Sequence, residues 1–213
     1  MNKKTIFISI STLFFLAFTA AVVVYKSQEV KQLANDVLPA LDRINVPAKG
    51  GKYAKVTIVE FFDPACGTCN QFYPLVNNLV KKYQGKVKVV MRYAPLHQGS
   101  SDVVKMLEAA HIQGQFWPAV ELLFANQQQW VQHHVSNPQR ALAGIKTLLL
   151  DHKQLDNDWQ SSKVANIIGQ DIRDGQTLQV RATPQFFVNG KPLVVFGYQE
   201  LINLVEEAIA EAY

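Results

Sequence analysis

Cys66 and Cys69 are the only cysteines in the chain, and they stand at C-x-x-C spacing. Paired thiols at this spacing serve thiol–disulfide exchange, form a structural disulfide, or supply half of a zinc site. A zinc knuckle normally adds a second such pair or two suitably spaced histidines. His97, His111, His133 and His134 are scattered or adjacent and show no such spacing. The location of the pair favours exchange. An apolar strand pattern, Val56-Thr57-Ile58-Val59-Glu60-Phe61-Phe62, ends shortly before Cys66. After Cys69 the apolar residues Phe72, Leu75, Val76, Leu79, Val80 and Tyr83 recur on one face of a helix. Cys66 is therefore expected at or just before a helix N-terminus, with Cys69 one turn in and more deeply buried.

That placement carries chemistry. The thiolate is the reactive form of cysteine, and a free thiol with a pKa of about 8.5 is mostly protonated at neutral pH. Unpaired backbone N–H groups and the positive end of the helix dipole stabilise an anion there. Cys66 should be acidic and nucleophilic, and Cys69 is close enough to attack a mixed disulfide formed at Cys66. Such a reaction needs no cofactor, and no metal site is expected.

A second stretch near the far end, Ala182-Thr183-Pro184-Gln185-Phe186-Phe187-Val188-Asn189-Gly190-Lys191-Pro192-Leu193, reads as a strand, an Asn-Gly hairpin turn and another strand through Phe196. A proline opening a strand is permitted because its missing N–H falls outside the ladder. Taken alone, Thr183-Pro184 fits either an ordinary trans bond before an edge strand or a cis bond kept by a tight turn.

Together the two stretches resemble the thioredoxin superfamily, and in particular its DsbA-like branch. Cys66-Gly67-Thr68-Cys69 is similar to the family's redox motif, and Thr183-Pro184 to its cis-proline loop, which in relatives pairs with substrate backbone. Glu60 matches a buried acid that carries protons for the second cysteine, and Pro74 a proline that kinks the active-site helix. The resemblance runs from about Val56 to the C-terminus. It implies an α/β thioredoxin fold with a helical insertion between the two halves of the sheet. The implied activity is thiol–disulfide exchange on cysteine-containing proteins, with a membrane redox partner that resets the pair. Gly67 and Thr68 would tune the redox potential. The best-known oxidants of the branch carry a histidine between the cysteines, and this chain does not.

The elements that must position these groups follow in order. Met1-Asn2-Lys3-Lys4 is a basic head, and Thr5 to Tyr25 is an uncharged, mostly apolar run of 21 residues before Lys26. About 20 such residues cross a bilayer as a helix, and the lysines keep the N-terminus inside. Residues 1–26 therefore read as an uncleaved transmembrane anchor, with a cleavable signal peptide as the rival. Either places the domain outside the cytoplasm, on the periplasmic side of a bacterial inner membrane or free in the periplasm. This agrees with the cysteine usage. Residues 27–51 read as a linker or stalk, and residues 52–213 as the DsbA-like domain. The net charge is +4, and setting aside the three lysines of residues 1–26 leaves +1. Nothing there suggests nucleic-acid binding.

Within the domain, strand 56–62, helix 66–83 and strand 86–93 make a right-handed crossover. Residues from about 100 to 179 read as helical throughout, with His133 and His134 pointing apart on a helix. Residues 198–212 form a closing helix. Asp63 reads as a turn or capping residue, and His97 as a solvated loop histidine. Soft-metal binding by the two thiolates, or a folding-chaperone role on the same fold, is the alternative class of function. A transferase on this fold, which would not require Cys69, is a third.

Overall fold

The computed structural model describes residues 43–213 continuously and, before them, residues 18, 19, 21, 22, 24, 25, 28 and 38–41. Most of the expected anchor and stalk lies outside the described residues. Among the described residues no helix is long and apolar enough to cross a membrane. The chain divides into two units, Met1–Asp42 and Arg43–Tyr213. In the first, Leu38–Leu41 is a helical turn. All that follows concerns the second.

Its centre is the expected strand pair. β2 (Val56–Phe62) is buried on both faces apart from Thr57, which suits its near-continuous apolar sequence. It runs parallel to β3 (Val87–Tyr93), in register from Val56↔Val87 to Phe62↔Tyr93. Helix α1 (Gly67–Lys82) is the crossover between them. Pro74 lies inside α1, where a proline removes one rung of the helical ladder. β1 (Ala48–Gly50), within the stretch expected to be linker, pairs antiparallel with β3 as an edge strand. The folded domain thus starts a few residues earlier than residue 52. β6 (Gln185–Val188) lies antiparallel to β2, and β7 (Lys191–Pro192) closes the sheet in the order β1-β3-β2-β6-β7.

β7 is shorter than the strand expected through Phe196. Pro192 offers no N–H to a ladder; Leu193 N makes the last bond, to Phe186 O at 2.9 Å, and the chain then leaves the sheet. Val194, Val195 and Phe196 are exposed. Helix α8 (Tyr198–Ala212) then packs on β2 and β6.

The insertion holds α2 (Ser100–Ile112), α3 (Phe116–Ala125), α4 (Gln127–Trp130), α5 (Pro138–Ile145), α6 (His152–Trp159) and α7 (Ser162–Thr177). One part is not helical. β4 (Val131–Gln132) and β5 (Val135–Ser136) form a small hairpin, with His133 and His134 at its tip in left-handed conformation (φ 48° and 65°). Two residues at positive φ in a two-residue loop match the twist of a tight hairpin, so the two histidines do not sit on a helix. The hairpin is tied down by Ser136 N donating to Gln98 O at 2.9 Å. It approaches Gly99 so closely that a Cβ there would stand 2.8 Å from Ser136 O, and Gly99 itself has φ 81°. α5 starts with Asn137 as its cap and a proline at its first turn, as the sequence suggested.

The two faces of the sheet have different interiors. Ile58, Glu60 and Phe62 share the face covered by α1, where Phe72 stacks on Phe186 at 5.5 Å. On the other face Phe61 meets Phe187 edge-on at 6.1 Å, and the Arg92 guanidinium lies over the Phe61 ring at 5.2 Å. Arg92 is fully buried and paired with Asp171 and Asp174 of α7, at 2.8 and 2.5 Å.

Candidate active site

Cys66 is the N-cap residue of α1, just beyond the carboxyl end of β2. Both cysteines are free thiols and both are buried, Cys69 completely. Four influences hold the Cys66 thiol down to about 5, while burial opposes them. The largest is a hydrogen bond from the Cys69 thiol; the others come from the Thr183 side chain and the backbone N–H groups of Cys69 and Thr68. The Thr183 carbonyl, 3.1 Å from Cys66 Sγ, acts the other way, because it can only accept and so favours the protonated thiol. Cys69 is driven strongly upward by burial, by its bond to Cys66, and by the nearby charge of Glu60. One thiol is therefore poised as an anion and its neighbour is held protonated.

The expected second stretch does come to the first. The Thr183–Pro184 peptide is cis, Pro184 is buried, and Thr183 touches the Cys66 sulfur. Gly67 is exposed, and a Cβ on it would meet nothing within 4 Å. Thr68 is half-buried beside it.

Residues 44–207 match the family described as Thioredoxin. The chain belongs to the thioredoxin family. Among solved structures, a thioredoxin-like oxidoreductase from Silicibacter pomeroyi DSS-3 is 27% identical, with a TM-score of 0.70 over 82% of this chain and 98% of that one. Oxidised BdbD from Bacillus subtilis is 26% identical, with a TM-score of 0.67 over 78% and 94%. These neighbours make the chain a DsbA-like member of the thioredoxin family, with the helical insertion that its sequence implied. A sodium/proton antiporter, NhaA 3 of Salinispora tropica, is 31% identical over 73% of this chain. The chain spans about a quarter of the length of the curated relatives it matches, 23% for that antiporter.

Glu60 lies within the thioredoxin core with no solvent exposure, and neither carboxyl oxygen has a protein hydrogen-bond partner. Burial pushes it up to about 8, and the neighbouring Cys66 charge adds to the rise. At neutral pH it therefore carries its proton. A carboxyl raised in the folded state holds a proton that the unfolded chain releases above about pH 4.3, so stability falls as pH rises from there towards 8. For the oxidised protein, in which no thiol titrates and the Cys66 charge is gone, the upper end of that window moves below 8. Denaturation of the disulfide form across this range should show stability declining by up to about 1.4 kcal/mol per pH unit. Glu60→Leu should lessen the decline, leaving the share that the raised Asp171 carboxyl contributes; an unchanged slope would show that Glu60 is not a titrating group in this range.

Sequence reasoning understated Asp63 and His97. Asp63 is fully buried, and its carboxylate accepts from Ala65 N (2.9 Å), Leu96 N (2.8 Å), His97 N (2.9 Å), Ser100 Oγ (2.9 Å) and His97 Nδ1 (2.9 Å). It ties the redox turn to the loop after β3, which is more than a cap. His97 is held by that carboxylate and stacks on His134 at 5.9 Å, so it is not a free loop histidine. The position of Asp63, between an apolar strand and the C-x-x-C motif, was the available signal. Asn70 and Gln127, which also hold the turn, gave none.

Proposed function

We propose that this protein is an exported thiol–disulfide oxidoreductase that acts on cysteine-containing proteins, with net oxidation as its preferred direction. The carrying observation is the Cys66 thiol at the N-cap of α1, lowered to about 5, beside a Cys69 thiol held protonated. A stabilised thiolate favours the reduced form of the pair, and a pair that prefers to be reduced is an oxidant.

In the oxidising direction a substrate thiolate attacks Cys66 of the Cys66–Cys69 disulfide, and Cys69 leaves as a thiolate that takes up a proton. A second substrate thiolate then attacks the substrate sulfur of the mixed disulfide. The substrate disulfide forms and Cys66 departs as its stabilised anion. Glu60, protonated and close to Cys69, is the group that delivers the first proton; in the reverse reaction it accepts it. Thr183 and Pro184 hold the extended substrate chain against Cys66, and Gly67 leaves the approach to the sulfur open. Phe196 and Tyr198 stack on Phe72 at 4.8 and 4.3 Å, and with the exposed Val194 and Val195 they offer an apolar strip beside the active-site helix for an unfolded substrate. The basic head and the apolar run to Tyr25 support export, and a membrane protein that withdraws electrons from the Cys66–Cys69 dithiol completes the cycle.

The test is the reduction potential of the pair against glutathione buffers. The expected value lies above the roughly −270 mV of thioredoxin and below the roughly −120 mV of the strongest oxidants, because the thiolate is stabilised less than in the latter. Above about pH 5, and below the range in which Glu60 titrates, only Cys69 takes up a proton on reduction, so there the potential should fall by about 30 mV per pH unit. A value at or below −270 mV, or a pair that takes up no disulfide from oxidised glutathione, would overturn this reading.

A further inference from the structure

The short segment Pro64–Cys66 carries the nucleophile and is held by partners around it. Ala65 N donates to Asp63 Oδ1 at 2.9 Å, and Cys66 N donates to Asp63 O at 3.0 Å. Cys66 O accepts from Asn70 N at 3.2 Å, the first rung of α1. The carbonyls of Pro64 and Cys66 share one side-chain donor. Gln127 Nε2 donates to Pro64 O at 2.8 Å and to Cys66 O at 3.1 Å. Gln127 is the first residue of α4, in the insertion, far from the redox motif in sequence. Its amide orientation is dictated by its neighbours: two carbonyls can only accept, so the nitrogen must face them. The oxygen in turn accepts from Asn70 Nδ2 at 3.3 Å, a side chain anchored on Phe124 O at 3.0 Å.

We propose that Gln127 is a positioning residue for Cys66, a bridge from the insertion that fixes the redox turn in the shape that presents the sulfur. The proposal rests on Cys66 being the cysteine that exchanges with substrate. Two effects make the bridge matter. The backbone N–H groups of Thr68 and Cys69 serve the thiolate only while Cys66 stays at the N-cap, and the bridge holds it there. The carbonyl oxygens of Pro64 and Cys66 also carry partial negative charge in the turn that bears the sulfur, and a donor placed on them offsets it. The helical insertion thereby reaches the nucleophile's own backbone through the Gln127 carboxamide.

The experiment is the pH profile of Cys66 alkylation by iodoacetamide in the reduced full-length protein, with the modified site located by mass spectrometry. Gln127→Met keeps the length and removes the donor. It should move the profile upward and slow alkylation at pH 4 by about fivefold, the worth of one ordinary hydrogen bond. Gln127→Lys, which keeps a donor, should retain at least the parental rate, and the exposed Gln128→Met should leave the profile unchanged. Gln127→Glu turns a carboxylate towards the two carbonyls and should move the midpoint above the parent's, which provides a second reading from a near-isosteric side chain. Thermal unfolding of the same samples reports whether the fold is intact. A Met or Glu profile that superimposes on the parent's overturns the proposal, as does a Lys variant that loses as much rate as Met. No disulfide substrate is present, so the profile reads the turn alone. Shifted profiles in a protein that fails to exchange disulfides would count against the oxidoreductase function and leave the bridge standing; unshifted profiles in an active protein would count against the bridge only.

Discussion

Cys66→Ser should reduce disulfide exchange to the uncatalysed background, a loss on the order of 10³-fold or more, because no other thiol in the chain can take its place. Cys69 is completely buried and its thiol is pushed upward, so at neutral pH it is almost entirely protonated and out of reach. Cys66, with a value of about 5, is roughly 99% thiolate at pH 7, against about 3% for an ordinary thiol near 8.5. The reaction of Cys66 with an alkylating agent should therefore reach half its maximum near pH 5 and be flat above pH 7. A midpoint near 8.5 would mean that the helix terminus and the Cys69 thiol do not stabilise the anion. Cys69→Ser separates the two steps. Its Cys66 thiolate still attacks a substrate disulfide, forming the Cys66–substrate bond and expelling one substrate thiolate, but nothing resolves the product. Mass spectrometry under non-reducing conditions should find the substrate attached at Cys66. Full exchange activity in Cys66→Ser, or no trapped species in Cys69→Ser, would sink the mechanism.

The sequence made this half of the site legible because its signals are local. Two cysteines on a strand-to-helix junction fix their own surroundings, since the helix that buries Cys69 also presents N–H groups to Cys66. Thr183-Pro184 was legible only through its likeness to a known loop; by itself it fitted a cis or a trans bond. The sheet centre, α1 and α8 followed from apolar periodicity that packing had no reason to override. The hairpin at Val131–Ser136 was hidden, because each of its strands has two residues and its two left-handed histidines carry no glycine or asparagine to mark the turn. Its conformation is set by Gln98 and Gly99, more than thirty residues earlier, and no window on the local sequence includes them. The same holds for Gln127, whose function depends on carbonyls that only the folded chain brings to it. The partners of Asp63 were hidden for the same reason, although a carboxylate between an apolar strand and a redox motif invited a stronger reading than a cap.

Arg92 illustrates the largest consequence that pattern reading passed over, and Arg92→Leu should destabilise the domain by about 3–5 kcal/mol. The guanidinium sits fully buried near the carboxyl end of β3, next to Tyr93, and its Nε donates to Asp171 Oδ1 at 2.9 Å. It also reaches Asp174 Oδ2 at 2.5 Å, while Arg43 holds the other oxygen of Asp174 at 2.6 Å. Asp171 in turn accepts from Tyr93 N at 2.8 Å, so the network fastens α7 to β3. Burial already pushes the Asp171 carboxyl upward despite Arg92; Asp174 is pushed the same way by burial but is held low by its hydrogen bonds from Arg43, Gln170 and Arg92. Removing Arg92 leaves a buried carboxylate without its cation, a far greater penalty than the net worth of the intact pair. The sign of the pH dependence follows. In the variant the Asp171 carboxyl rises further above the unfolded value of about 3.9, and Asp174 loses one of the bonds that hold it below that value, so the added instability grows as pH rises and both acids ionise. At pH 4 the deficit should already be smaller, and it should vanish only once pH falls through the depressed Asp174 value, where both acids are protonated in both states. Chemical denaturation at pH 4 and pH 7 measures this directly: a deficit that is large at 7 and small at 4 is expected, and equal deficits would mean that lost packing, not the uncompensated charge, carries the effect. Adding Asp171→Asn to Arg92→Leu should recover part of the loss at pH 7, because the carboxylate that burial penalises most is then gone. The arginine lies on the face of the sheet away from Glu60, so the alkylation profile of Cys66 in Arg92→Leu should keep its midpoint near pH 5 wherever the domain remains folded.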